Sequence, residues 1–137
     1  VMNMGVDGNT TIQLFSRIKS IPKDANIVIY EFGRGNDARK NISEEQTFAN
    51  SDKNVRDLIS KNYRVLLIVR AKKTGALTAL IDQYAELGNL PKVQLMAVYQ
   101  PPEKVLNDRP EWGHPTAQAH DEIAENMIQN IRILLEK

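Results

Sequence analysis

The chain predicts a three-layer α/β/α domain built on a mostly parallel sheet. Apolar runs of strand length recur at residues 27–32, 63–69 and 93–98. Between them lie longer segments whose apolar residues return every three or four positions, the spacing of one helix face. Alternation of that kind gives parallel strands with helices on both faces of the sheet. The 137 residues form one domain, 1–137, large enough to bury a core. No internal repeat or low-complexity stretch divides it.

Taken in order, residues 1–4 read as the stump of a strand running into a loop at 5–8. Thr10 or Thr11 caps a helix whose apolar residues Leu14, Phe15, Ile18 and Ile21 fall at helical spacing. Pro22, Lys23 and Asp24 turn the chain into residues 26–32, a continuous apolar run that reads as a buried parallel strand. Residues 34–46 are polar and read as a loop with a short helical turn. Ser51 or Asp52 then starts a helix with Val55, Leu58 and Ile59 inward.

Residues 63–69 are the second strand. The helix after it carries Leu77, Leu80, Ile81, Tyr84 and Leu87 on one face and stops at Gly88, read as the glycine just past its end. Residues 93–98 are the third strand. Pro101 and Pro102 open a long loop to His114. Pro115 suits the first turn of a last helix, whose buried stripe is Ile123, Met127, Ile131 and Leu134.

Composition excludes several classes of function. Net charge is +1, with Lys and Arg spread along the chain rather than blocked. That argues against nucleic acid or an anionic membrane surface as the main partner. The absence of cysteine excludes disulfides and cysteine chemistry. No apolar run reaches the roughly 18 to 20 residues of a membrane span. No signal peptide is visible, but the chain opens at Val1 rather than a methionine, so that observation decides no compartment.

Three short motifs occur in order. Val6-Asp7-Gly8-Asn9-Thr10 stands near the start, Gly33-Arg34-Gly35-Asn36-Asp37 follows the first full strand, and Glu111-Trp112-Gly113-His114-Pro115 opens the last helix. In that order they resemble the second, third and fifth sequence blocks of the SGNH (GDSL-type) ester hydrolases, most closely the thioesterase/lysophospholipase/arylesterase branch. The resemblance covers nearly all of this chain but only the later part of the family's fold. The first block, the Gly-Asp-Ser turn carrying the nucleophile, has no counterpart. The resemblance therefore implies a flavodoxin-like SGNH fold lacking its N-terminal strand–helix unit and most of a second strand.

It also implies a chemistry. Acyl transfer passes through a tetrahedral oxyanion, stabilised by donors already aimed at the developing charge. By resemblance those donors are the Gly8 backbone N–H and the Asn36 side-chain amide, and His114 is the general base. Glu111 stands where the family has the aspartate that orients the histidine, with Asp108 the alternative from the same loop. Arg34 is inserted where close relatives have adjacent glycines, and it binds a ligand carboxylate or phosphate or points to solvent. Trp112 lines an acyl pocket or covers the edge of the core.

Each residue also has a plainer reading: Gly8-Asn9 and Gly35-Asn36 are ordinary turn pairs, and His114 can cap the last helix. His120, the other histidine, reads as a solvated helix residue. Five serines are present, Ser16, Ser20, Ser43, Ser51 and Ser60, and none has the Gly-Asp-Ser setting of a nucleophile.

Two functions follow. One is a serine ester hydrolase of the esterase, thioesterase or lysophospholipase kind, present as a fragment or short form without its nucleophile. The other is a non-catalytic binding or interaction protein that keeps the fold. An unrelated flavodoxin-like domain is a third possibility, which predicts no convergence of Gly8, Asn36 and His114.

The ligand implied by resemblance is a small acyl ester or thioester, with no cofactor and no metal. The compartment implied is periplasmic or secreted, or cytoplasmic if the chain is complete as given. In the family's sheet the absent first strand would lie beside residues 27–32. That edge is therefore expected to be covered, by residues 1–4 or, preferably, by a second copy of the chain.

Overall fold

In the computed structural model, which describes residues 1–32, 34–105 and 114–137, three strands form one parallel sheet in the order β1-β2-β3. They are β1 (Ile27–Glu31), β2 (Arg64–Ala71) and β3 (Val93–Tyr99). Ile27 of β1 pairs with Arg64, and Val65 of β2 with Val93. The helices are α1 (Thr11–Ile18), α2 (Arg34–Arg39), α3 (Glu44–Ser60), α4 (Thr74–Gly88) and α5 (Ala117–Glu136), with a 3-10 turn at Pro102–Lys104. The architecture is three-layer α/β/α, of the flavodoxin-like kind.

Period-two alternation divides the core between the two faces of the sheet. Tyr30, Val65, Leu67, Val69, Ala71 and Val93 point to one face, where α1, α3 and α4 close over them with Ile18, Val55, Leu58, Leu80, Tyr84 and Leu87. Phe32 stacks on Tyr84 with ring centroids 4.9 Å apart, and Phe48 meets the same ring edge-on at 5.0 Å. Leu66, Ile68, Met96 and Val98 point the other way, where, among the described residues, α5 covers them through Ile123, Met127, Ile131 and Leu134.

That second face is incompletely covered. Ile29, on the same side as Ile27, is 45% exposed, and Ile128 and Leu135 of α5 are exposed as well. Asn126 and Asn130 of α5 reach Ala97 and Gln94 of β3, which places this helix toward the β3 side of the sheet.

Several elements begin or end where the sequence did not indicate. The polar stretch read as a loop with a short helical turn is the helix α2, a turn at 40–43 and the start of α3, which begins at Glu44, seven residues before Ser51. The signal was present at Ser43, whose hydroxyl accepts the Gln46 N–H at 3.1 Å, with Glu44 and Glu45 in the first turn. Ser51 is therefore interior to α3 and fully buried, its hydroxyl donating to the Thr47 carbonyl at 2.8 Å. α1 does begin at the Thr10 cap, which forms a reciprocal capping box with Gln13, but it stops at Ile18 and leaves Ile21 beyond it.

Gly88 belongs to α4 rather than following it, and Asn89 is the cap. A Cβ at Gly88 would sit 2.8 Å from the Leu95 Cβ, so close helix–strand approach is what requires glycine there. Pro115 is not in the last helix. It forms an isolated antiparallel bridge with Val105, the Thr116 N–H donates to the Lys104 carbonyl at 2.9 Å, and Thr116 caps α5. The far end of α5 is also tied, because the Lys137 ammonium donates to the carbonyls of Gly88 (3.0 Å) and Val93 (2.6 Å).

Residues 1–4 form no strand, and Val1 and Met2 are exposed, so they do not cover β1. The apolar run at 26–32 proves to be an edge strand rather than one buried on both faces: Tyr30 is buried while Ile29 and Glu31 are exposed.

Candidate functional site

A cleft of about 810 Å³ opens at the carboxyl ends of the strands, bounded by Glu31 at the end of β1 and Phe32 just past it, Arg70 and Ala71 at the end of β2, and Gln100 after β3. In open parallel sheets this is where ligands sit. Gly8, Arg34, Asn36 and His114 all line it. Four sequence-selected residues, from three distant parts of the chain, are thus brought to one depression. Glu111, Trp112 and Asp108 lie outside the described residues, as does Gly33 of the second motif.

Gly8 adopts φ +72°, the left-handed region that disfavours any side chain, and nothing stands within 4 Å of where a Cβ would be. Gly8 is exposed and lines the cleft. Asn36 sits in the first turn of α2, not on a loop. Its amide nitrogen donates to the Asn9 carbonyl at 3.0 Å. An amide nitrogen carries two N–H groups, so this bond orients the side chain and leaves a second donor. The same bond joins the two motifs directly, since Asn9 is the neighbour of Gly8.

Arg34 is ion-paired with Glu44 across the start of α3, both being substantially exposed. The pairing gives the inserted arginine a partner within the protein. Arg70 and Glu31 form a second pair at 3.0 Å, from adjacent strands. His114 is exposed at the lip, one residue before the Val105–Pro115 bridge. Apolar Leu14, Phe32 and Ile42 complete part of the wall.

None of the five serines lines the cleft. Ser16 and Ser60 donate to helix carbonyls of Gln13 and Asp57, Ser43 caps α3, Ser51 is buried inside α3, and Ser20 follows α1. Among the described residues no group of His, Cys, Asp and Glu side chains could hold a metal ion, and no helix is long and apolar enough to cross a membrane.

One residue mattered more than its sequence setting suggested. Asp37 is fully buried, and its carboxylate accepts three hydrogen bonds: the Thr11 N–H at 2.8 Å, the Thr11 hydroxyl at 2.5 Å and the Thr47 hydroxyl at 2.8 Å. Asn50 donates onward to the Thr11 hydroxyl at 2.9 Å, and Asn54 to the Thr11 carbonyl at 3.0 Å and the Tyr30 hydroxyl at 2.7 Å. Burial raises the Tyr30 phenol above its ordinary range, opposed by bonds from Asn54 and Ser51, and pushes Tyr84 up to about 12. The chain matches no family model and no curated protein.

Proposed function

We propose that this cleft is an acyl-ester site of the SGNH-hydrolase type, complete in its oxyanion donors and its histidine and lacking a serine. On this reading the chain binds a small acyl ester or thioester and does not turn it over. One observation carries the reading: Gly8, Asn36 and His114, separated by up to about a hundred residues, line the same cleft. A backbone N–H and an amide are the donors an oxyanion needs, and the apolar wall suits an acyl chain. The non-catalytic reading of the chain draws on the placement of all five serines away from the cleft.

Hydrolysis of p-nitrophenyl butyrate by the chain is expected to stay at background. Where it has been measured in a serine protease, removing the nucleophile costs roughly a millionfold in rate. Saturable hydrolysis abolished by a Ser→Ala change at any one of the five serines would overturn this reading. Binding is a separate matter: methyl butyrate is expected to shift the amide signals of Gly8 and Asn36.

For the partner, the open β1 edge supports a second copy of this chain. Among the described residues the strand has a neighbour on one side only, Ile29 is 45% exposed, and residues 1–4 do not shield it. Bare edges of this kind pair with other chains. The contact is expected to bury on the order of 1,000 Å² or more. Sedimentation showing only monomer at high micromolar concentration would exclude it.

A further inference from the structure

We propose that Asp37 is a positioning residue that sets the separation of the two oxyanion donors. The proposal rests on the reading of Gly8 and Asn36 given above. Asp37 follows Asn36 directly on α2, and its carboxylate is bound to the first residue of α1, three positions after Gly8. The loop with one donor and the helix with the other are thereby latched to each other through a single buried side chain.

The chemistry of the latch is specific. Three donors converge on one carboxylate, and one of them is the backbone N–H of the first residue of α1, a group with no partner inside its own helix. A negative charge there is favoured by the helix dipole. Thr47 brings in α3 as a third element, and the Asn50 amide holds the Thr11 hydroxyl from the same helix. Outside this cluster, the Asn36–Asn9 bond is the second tie between the two motifs. Asp37 does not line the cleft, so its influence passes through the backbone of its neighbour.

The experiment is a comparison of Asp37→Asn and Thr47→Val with the wild-type chain by amide NMR and hydrogen exchange. Asparagine keeps an acceptor for the Thr11 N–H, and the two hydroxyls can rotate to accept from its amide, so the fold is expected to survive. The expected result is displaced signals for the Gly8 backbone N–H and the Asn36 side-chain amide, with the β2 and β3 amides unmoved. Exchange of the Asn36 amide should accelerate roughly tenfold, the loss of about one hydrogen bond.

Thr47→Val should move the same signals in the same direction and by less, and it decides the matter if Asp37→Asn does not fold. If either folded variant is less stable while Gly8 and Asn36 stay in place, Asp37 merely supports the core and the proposal fails. A wild-type chain whose Gly8 and Asn36 signals ignore methyl butyrate would instead fail the ester-site reading and leave the latch as measured.

Discussion

The two faces of the sheet are built to different standards. Against α1, α3 and α4, the strands bury Val65, Leu67, Val69 and Val93 completely, and a polar network closes the rim above them. Against α5, the same strands bury Leu66 and Met96 but leave Ile29 nearly half exposed. One helix cannot cover three strands about 4.8 Å apart when helix axes pack 8 to 10 Å from their neighbours. The difference teaches where the domain is self-sufficient and where it has apolar surface to spare. The first face defines the fold, and the second leaves apolar side chains exposed.

The largest effect that would test this contrast is Leu58→Ala on α3. Leu58 is fully buried on the well-covered face, and its truncation should cost about 2–5 kcal/mol. A loss under about 1 kcal/mol in urea denaturation would mean that this face is looser than described.

Gly88→Ala comes next. The added methyl would press on the Leu95 Cβ, an atom too near the backbone to swing aside, and should cost about 1–3 kcal/mol. Wild-type stability in this variant would show that α4 stands further from β3.

Alkali should weaken the same face. Tyr84 is raised from 10.0 to about 12 by burial, and Tyr30 is raised as well. Above pH 10 the unfolded chain releases these phenolic protons while the folded chain keeps them. Stability from this source is therefore full below pH 10 and falls as pH climbs towards 12. Phenolate absorbance should show late titration of Tyr30 and Tyr84 in the folded state. Titration of these two phenols near pH 10, with unfolding no easier at pH 11, would break the prediction.

The smallest effects belong to the open face. Ile128→Ala should change monomer stability by no more than about 0.5 kcal/mol. Ile29→Thr should be similarly mild for the monomer yet weaken self-association in sedimentation. A large monomer loss from Ile128→Ala would mean that this side is covered after all.

All three strands were legible because each is a short apolar run between polar breaks, and the hydrophobic face of α4 followed from its spacing. α2 was not legible. Glycine, asparagine and aspartate fill half of its six positions and have poor helix propensity, and what holds this helix is the burial of Asp37 against Thr11 and Thr47. Those partners lie 26 and 10 residues away, beyond any local pattern. Tertiary context likewise reassigned Gly88, whose neighbour Leu95 is remote from any capping pattern. The start of α3 is a different case. Ser43 and Gln46 displayed a capping pattern, but the polar residues after them concealed the helix until Val55. At the site, motif order brought Gly8, Arg34, Asn36 and His114 into one group, while Asp37 stood at the end of the second motif with no role assigned to it.

The tie made by Lys137 has a mechanical consequence for His114. α5 has 20 residues and so runs about 30 Å from that anchor to its capped start beside the cleft. A rod fixed at its far end acts as a lever: a tilt of about 5° at Lys137 would sweep the near end by about 2–3 Å, several times the tolerance of a hydrogen bond. The anchor at the bottom of the sheet therefore sets the pivot but cannot by itself aim the histidine. Aim is supplied at the near end by the Thr116–Lys104 bond and the Val105–Pro115 bridge, which act as a stop one and two residues from the imidazole.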